Sequence, residues 1–194
     1  MKKLLLVFLT TLIFNMGGTA HPAELLKSSF AAADVAISAY RIDANTSVAS
    51  EEQAAEIIHS LGNPENSLGI ITDEYQNTYD VDIKSNGQDI RLVLHAEPVS
   101  HIRETYDKIA GTFENVYLSA RGETSDCDES TISSCLMQGC GGFTLEECAG
   151  SVTSLSGRTP LFSGSSKINV QTAVVDKGNT YEVYLGFPYI VFEY

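Results

Sequence analysis

Basic residues are scarce in this chain: 12 Lys and Arg stand against 25 Asp and Glu, a formal net charge of −13 over 194 residues. With no basic stripe to neutralise phosphates and release counterions, the sequence argues against nucleic acid as a partner and offers little to anionic lipid headgroups. Long apolar runs are missing as well. The longest, Leu4 to Phe14, is too short to span a bilayer. No cysteine precedes Cys127, so the amino end lacks the residue on which a bacterial lipoprotein's acyl chains are built, and no stable membrane anchor is expected. Gly164-Ser165-Ser166-Lys167 lacks the spacing of a phosphate loop, and no nucleophile-elbow pattern occurs. The carboxylate pairs Asp80/Asp82 and Asp126/Asp128 do not continue into a twelve-residue calcium loop. The sequence therefore specifies no reaction, and no cofactor is expected.

What is present begins with Met1 to Ala20. Lys2 and Lys3, the short apolar core, and the small residues Gly18 and Ala20 are the three parts of a secretory signal peptide, with the cut expected between Ala20 and His21. Export to a periplasm or out of the cell follows, and with it an oxidising compartment. Residues 21–194 are then expected to form a single exported domain. Hydrophobic residues make up 43% of the chain, enough for a packed core and too many for a disordered acidic tail.

Periodicity predicts helices at the front and strands behind. Leu26, Phe30, Ala33, Ile37 and Tyr40 recur at three- and four-residue spacing, which predicts a helix over 23–40. Asp43 to Ala49 reads as a polar connection, after which Ser50 and Gln53 form a capping box for a second helix stopped by Gly62 and Pro64. Tyr79, Val81 and Ile83 alternate up to Asn86-Gly87, and Ile90, Leu92 and Leu94 supply the returning arm of a hairpin with a type I′ turn. A third helix is expected over 100–110, a strand over 115–121, a hairpin around Asp176 to Asn179, and a last strand over 189–194. The sequence shows no internal repeat and no low-complexity linker. The pattern predicts an α+β fold, N-terminal helices packed on a mostly antiparallel sheet.

All four cysteines lie within 123–150, at Cys127, Cys135, Cys140 and Cys148. That stretch holds few apolar residues, so a disulfide-stapled loop is expected to give it shape. The palindromic spacing favours nested bridges, Cys127 with Cys148 around Cys135 with Cys140. Zinc is disfavoured, because only Cys135 and Cys140 approach the spacing of paired ligands.

Three resemblances attach chemistry to particular residues. Gln138-Gly139-Cys140-Gly141-Gly142 resembles the cysteine signature of caspase-like proteases, with His95 upstream, although Gly139 and Ala96 depart from that pattern; it implies a cysteine-dependent hydrolase. A cut after Ala20 leaves His21 with an α-amine and an imidazole, similar to the histidine brace of copper-binding periplasmic proteins. A second imidazole from His59, His95 or His101 would complete the set. Tyr189 to Tyr194 resembles the terminal strand of outer-membrane barrels, but eight barrel strands do not fit beside three helices. As an aromatic edge strand, Tyr189, Phe192 and Tyr194 would instead present a place for a partner to add a strand.

These readings converge on an exported protein that acts by binding a protein partner, with structural disulfides and no catalytic residue. The alternatives are a structural subunit of an envelope assembly or appendage, a copper-binding protein using His21 and His95, and the thiol hydrolase.

Overall fold

The computed structural model describes residues 21–64, 69–87, 89–125, 128–140, 143–148, 152–159 and 168–193, with backbone alone for 63–64 and 143–148. Helix α1 (Pro22–Ala32) starts where His21 caps it: Ala23 N donates to His21 Nδ1 at 3.1 Å, and Pro22 stands at the first helical position. The helix ends well before Tyr40. Asp34 takes φ 60°, and the chain turns into β1 (Ala36–Val48), so Ile37 and Tyr40 belong to a strand. Within β1, Ile42, Ala44, Thr46 and Val48 alternate inward. Ala44 and Thr46 are too small and polar for this period-two stripe to stand out from the polar connection expected over Asp43 to Ala49.

The corner from β1 into α2 (Glu51–Leu61) is the expected capping box. Gln53 N donates to Ser50 Oγ at 3.2 Å, and Ala49 N donates to Gln53 Oε1 at 2.7 Å. There follow β2 (Asn63–Pro64), β3 (Ile70–Thr72), β4 (Thr78–Ser85), β5 (Ile90–Ala96) and α3 (Ile102–Ala110). The β4–β5 hairpin sits where Asn86-Gly87 predicted it. Its connection spans 86–89 rather than two residues, and Gly87 has positive φ while Asn86 does not, which is not a type I′ turn.

A second strand-to-helix corner joins β6 (Asn115–Thr124) to α4 (Glu129–Gly139). Here Asp128 is the cap, accepting from Thr131 N at 3.0 Å and from the Thr131 and Ser130 hydroxyls at 2.7 Å. These hydrogen bonds lower the Asp128 carboxyl to about 2. Strands β7 (Phe143–Cys148), β8 (Val152–Arg158), β9 (Val170–Asp176) and β10 (Tyr181–Phe187) complete the chain. The expected loop at 123–150 is thus a capped helix and a strand. Ile132, Leu136 and Met137 give α4 a buried stripe of its own, so its shape does not require a staple.

These elements form an α+β fold of two compact units: Ala39–Leu118, and the described residues up to Ser38 together with those from Ser119 onward. Strand order is β2-β3-β4-β5-β1 in the first and β7-β8-β9-β10-β6 in the second. The two orders are the same when each strand of the first is advanced by five. Both units therefore share one topology, a strand, a helix and an antiparallel meander, with the opening strand lying beside the last. Each also takes in the helix that precedes the other unit's opening strand. In the first, α3 meets α2 where Lys108 Nζ donates to Leu61 O at 2.7 Å. In the second, α1 packs on α4.

The α1–α4 crossing depends on small residues. A Cβ built on Gly139 would lie 2.5 Å from Ser29 Cα, closer than packed carbons approach. Gly139→Val would gain some helix propensity in an isolated peptide, but the clash with backbone outweighs that gain. We expect Gly139→Val to lose about 1–3 kcal/mol in chemical denaturation, with the helical circular dichroism of the folded state retained.

Candidate ligand-binding face

In Ala39–Leu118 the pleat separates two faces. Three rungs, Ile42–Ala96–Tyr79, Ala44–Leu94–Val81 and Thr46–Leu92–Ile83, form the inner one. Except for Ile83, which is 44% exposed, they are buried, together with Ala54 and Leu61 of α2 and Ile102, Thr105 and Ile109 of α3. The alternate residues point the other way and are almost all polar: Asp43–His95–Asp80, Asn45–Val93–Asp82 and Ser47–Arg91–Lys84. They are partly or fully exposed.

Charge at one end of this face is tied together. Arg41 Nε donates to Asp43 Oδ1 at 3.1 Å, and Arg41 Nη1 donates to Glu97 Oε2 at 3.4 Å. His95 Nδ1 lies 2.9 Å from the same Asp43 oxygen. That contact lacks hydrogen-bond alignment, and the nitrogen is shut off from solvent. Asp80 stands on the opposite side of His95 in the rung. The arrangement is a half-exposed imidazole between two carboxylates, with a guanidinium holding one of them. It can recognise cationic or hydrogen-bonding groups and presents no nucleophile.

A second polar cluster lies under the inner face and is closed on itself. Asp73 Oδ1 accepts from Tyr75 N at 2.9 Å and Asn77 N at 2.8 Å, while its Oδ2 accepts from Asn77 Nδ2 at 2.9 Å and from Tyr79 Oη. Asn77 in turn accepts from Ser100 N at 2.6 Å and donates to Thr105 Oγ1 at 3.1 Å, which joins the β3–β4 connection to α3. Burial pushes the Asp73 carboxyl up, but the hydrogen bonds from Tyr79 and Asn77 outweigh it and hold it below its usual value. The Tyr79 hydroxyl is raised by burial and by the carboxylate it serves. With both carboxylate oxygens taken, the cluster is structural. Sequence reasoning passed over it, although an Asp such as Asp73 between two strands is an Asx-turn signal, borne by its bond from Tyr75 N two residues on.

The residues singled out from sequence are scattered. His21 is the α1 cap and belongs to the unit containing α1, whereas His95 lies on β5 of the other. His59 is exposed in the last turn of α2, and His101 opens α3 with its ring stacked on Tyr75 at 4.5 Å. Among the described residues no group of three or more His, Cys, Asp or Glu is placed to hold a metal.

The expected Cys135–Cys140 bridge is absent: both are thiols. Five residues of helix turn them about 140° apart, and Cys140 Sγ, buried at the C-cap, donates to Met137 O at 3.2 Å. That burial also denies Cys140 the access a thiol nucleophile needs. Cys127 and the Cys148 side chain lie outside the described residues.

The terminal strand is likewise not formed. β10 ends at Phe187, and the following segment folds against its own unit. Ser119 Oγ donates to Tyr189 O and accepts from Val191 N, each at 3.1 Å, while Ile190 N donates to Gln171 Oε1 at 3.2 Å. Phe192 is buried against Tyr184 with Arg121 over its ring, so it does not offer itself to a partner; Tyr189 is exposed, and Tyr194 lies outside the described residues. No described helix is long and apolar enough to cross a membrane. No family model, no curated protein and no solved structure matches this chain.

Two outcomes follow. Asp73→Asn is expected to cost about 1.5–3 kcal/mol, because the replacement loses charged hydrogen bonds in a buried site. Since the Asp73 carboxyl is lower folded than unfolded, the wild type holds this stability above the ordinary value of 3.8 and loses it as pH falls through the lowered one. Equilibrium unfolding of both proteins between neutral and acid pH should show the gap closing at the acid end. In maleimide labelling read by mass spectrometry, Cys135 should react in the folded protein and Cys140 only after unfolding.

Proposed function

We propose that this is an exported, non-enzymatic binding protein that engages a protein partner through the open face of Ala39–Leu118. The observation that carries the reading is the rung Asp43–His95–Asp80, with Arg41 and Glu97 beside it. Arg41, Asp43 and His95 are part-buried and Asp80 and Glu97 exposed, and register across three hydrogen-bonded strands sets Asp43, His95 and Asp80 side by side on the outward face. A sheet positions side chains more rigidly than a loop, which lowers the ordering cost of binding. Net acidity and the paired aspartates favour a partner with a basic surface, by steering and by complementarity.

Binding is favoured over catalysis because the groups next to His95 are carboxylates and a guanidinium, the Cys140 thiol is buried, and the Asp73–Tyr79 pair is sealed by its own donors. Export rests on the leader at Met1 to Ala20. In an oxidising compartment, Cys127 with Cys148 is the pairing this proposal retains.

Affinity capture from the native envelope fraction tests the reading, with wild type compared against Asp43→Lys/Asp80→Lys and against Asp176→Lys, an exposed site at the end of β9. The double variant should lose the captured partner by about tenfold or more, as expected for reversing two charges at an interface, while Asp176→Lys retains it. Equal recovery by all three proteins would rule out this face.

A further inference from the structure

We infer that the opposite end of the same face is a binding site for a tetrahedral oxoanion of the phosphate class. Register sets Lys84 directly across from Arg91, with Ser47 on the far side of Arg91, so two cations share one rung. Like charges directly opposite each other destabilise a sheet. The juxtaposition stands out in a chain with so few basic residues and so many acids to pair them with. Elsewhere Lys27 sits on Glu24, Arg41 on Asp43 and Glu97, and Lys177 on Glu182. Among the described residues, Lys84 and Arg91 have no such carboxylate.

The rung opens into a depression of about 440 Å³ lined by Ser47, Lys84, Ser85, Asn86, Asp89 and Arg91. Its rim is fixed by the hairpin connection. Asn86 N donates to Asp89 O at 3.2 Å, Asp89 N donates to Asn86 Oδ1 at 2.8 Å, and Gly87 N donates to Ser85 Oγ at 3.4 Å. Asp89, the one carboxylate in the lining, forms no ion pair with either cation. A guanidinium fork, an ammonium and two serine hydroxyls supply donors in the number and sign that a dianion with several oxygens accepts. A bound dianion would turn the repulsion between Lys84 and Arg91 into shared attraction. A monoanionic carboxylate would satisfy only one of them.

The same chemistry could arrive as free phosphate or as the phosphate monoester of a sugar. The site is separate from the Asp43–His95–Asp80 rung, so either proposal can fail alone.

The test is titration of the full exported chain, followed by amide chemical shifts and thermal unfolding, at constant ionic strength. Inorganic phosphate is used in one arm, a hexose monophosphate in the second and chloride in the control. We expect saturable shifts confined to 84–91 and Ser47, and a rise in Tm with phosphate but not chloride. Lys84→Gln/Arg91→Gln should abolish both effects and, in phosphate-free buffer, melt no lower than wild type, because the repulsion is gone. Arg91→Lys should keep the charge but weaken binding about tenfold through loss of the fork. A response to the ester alone would identify the ligand as sugar-borne, and an equal response would identify free phosphate. The proposal is overturned by the absence of saturable shifts in both arms, by shifts that persist in the double variant, or by a double variant that is less stable than wild type without phosphate.

Discussion

The helix that precedes each unit's opening strand is packed in the other unit. α1 runs directly into β1 yet packs on α4, and α3 runs directly into β6 yet meets α2. Leu26 and Phe30 of α1 and Ile102 and Ile109 of α3 are almost fully excluded from solvent, each burial contributing on the order of 1.5–3 kcal/mol. The unit containing β10 is built from two separate stretches, whereas Ala39–Leu118 is one continuous stretch. The close approach at Gly139 seats α1 against α4, and the Lys108 bond to Leu61 seats α3 against α2.

Once two helices cover one side of a sheet, the pleat leaves the other side free for polar residues, and this is where the two units part company. In the unit containing β10, the chain's own last residues lie along Ser119, Gln171 and Tyr184, and Phe192 fills that surface. In Ala39–Leu118 the corresponding alternate positions carry Arg41, Asp43, Asp80, Arg91 and His95. One topology thus bears two different surfaces, one closed by backbone and aromatic contacts, the other charged and graded from acidic to basic along the strands.

Much of the fold was legible where local chemistry decides structure. Ser50 with Gln53, the strands around Val81 and Leu92, the helix ending at Gly111 and the turn at Gly178 all stand where their residues predicted. Errors arose where the signal was tertiary. Ile37 and Tyr40 continued a helical spacing that Asp34 interrupts, and Ala44 and Thr46 are inward strand residues too small and polar to announce themselves. The stretch after Asp128 seemed too poor in apolar residues to hold a shape, but Ile132 and Leu136 suffice because α1 supplies the other half of the contact. Of the candidate site, His95 was visible as a strand histidine. Its neighbours were not, because Asp43 and Asp80 are distant in sequence and only register brings them together. The duplicated topology left no trace in residue identities because the shared features are a cap, a corner and a strand order, which many residues satisfy.

The borrowing of α1 also orders events in time. A chain synthesised amino end first presents this helix, with Leu25, Leu26 and Phe30 uncovered, long before α4 and β10 follow to receive it. Contacts of such wide sequence separation form late and slowly, and apolar surface left waiting invites association with other chains. Newly made molecules would therefore pass through an interval in which a holdase is useful, an interval that closes only after the residues following Ser119 have been made.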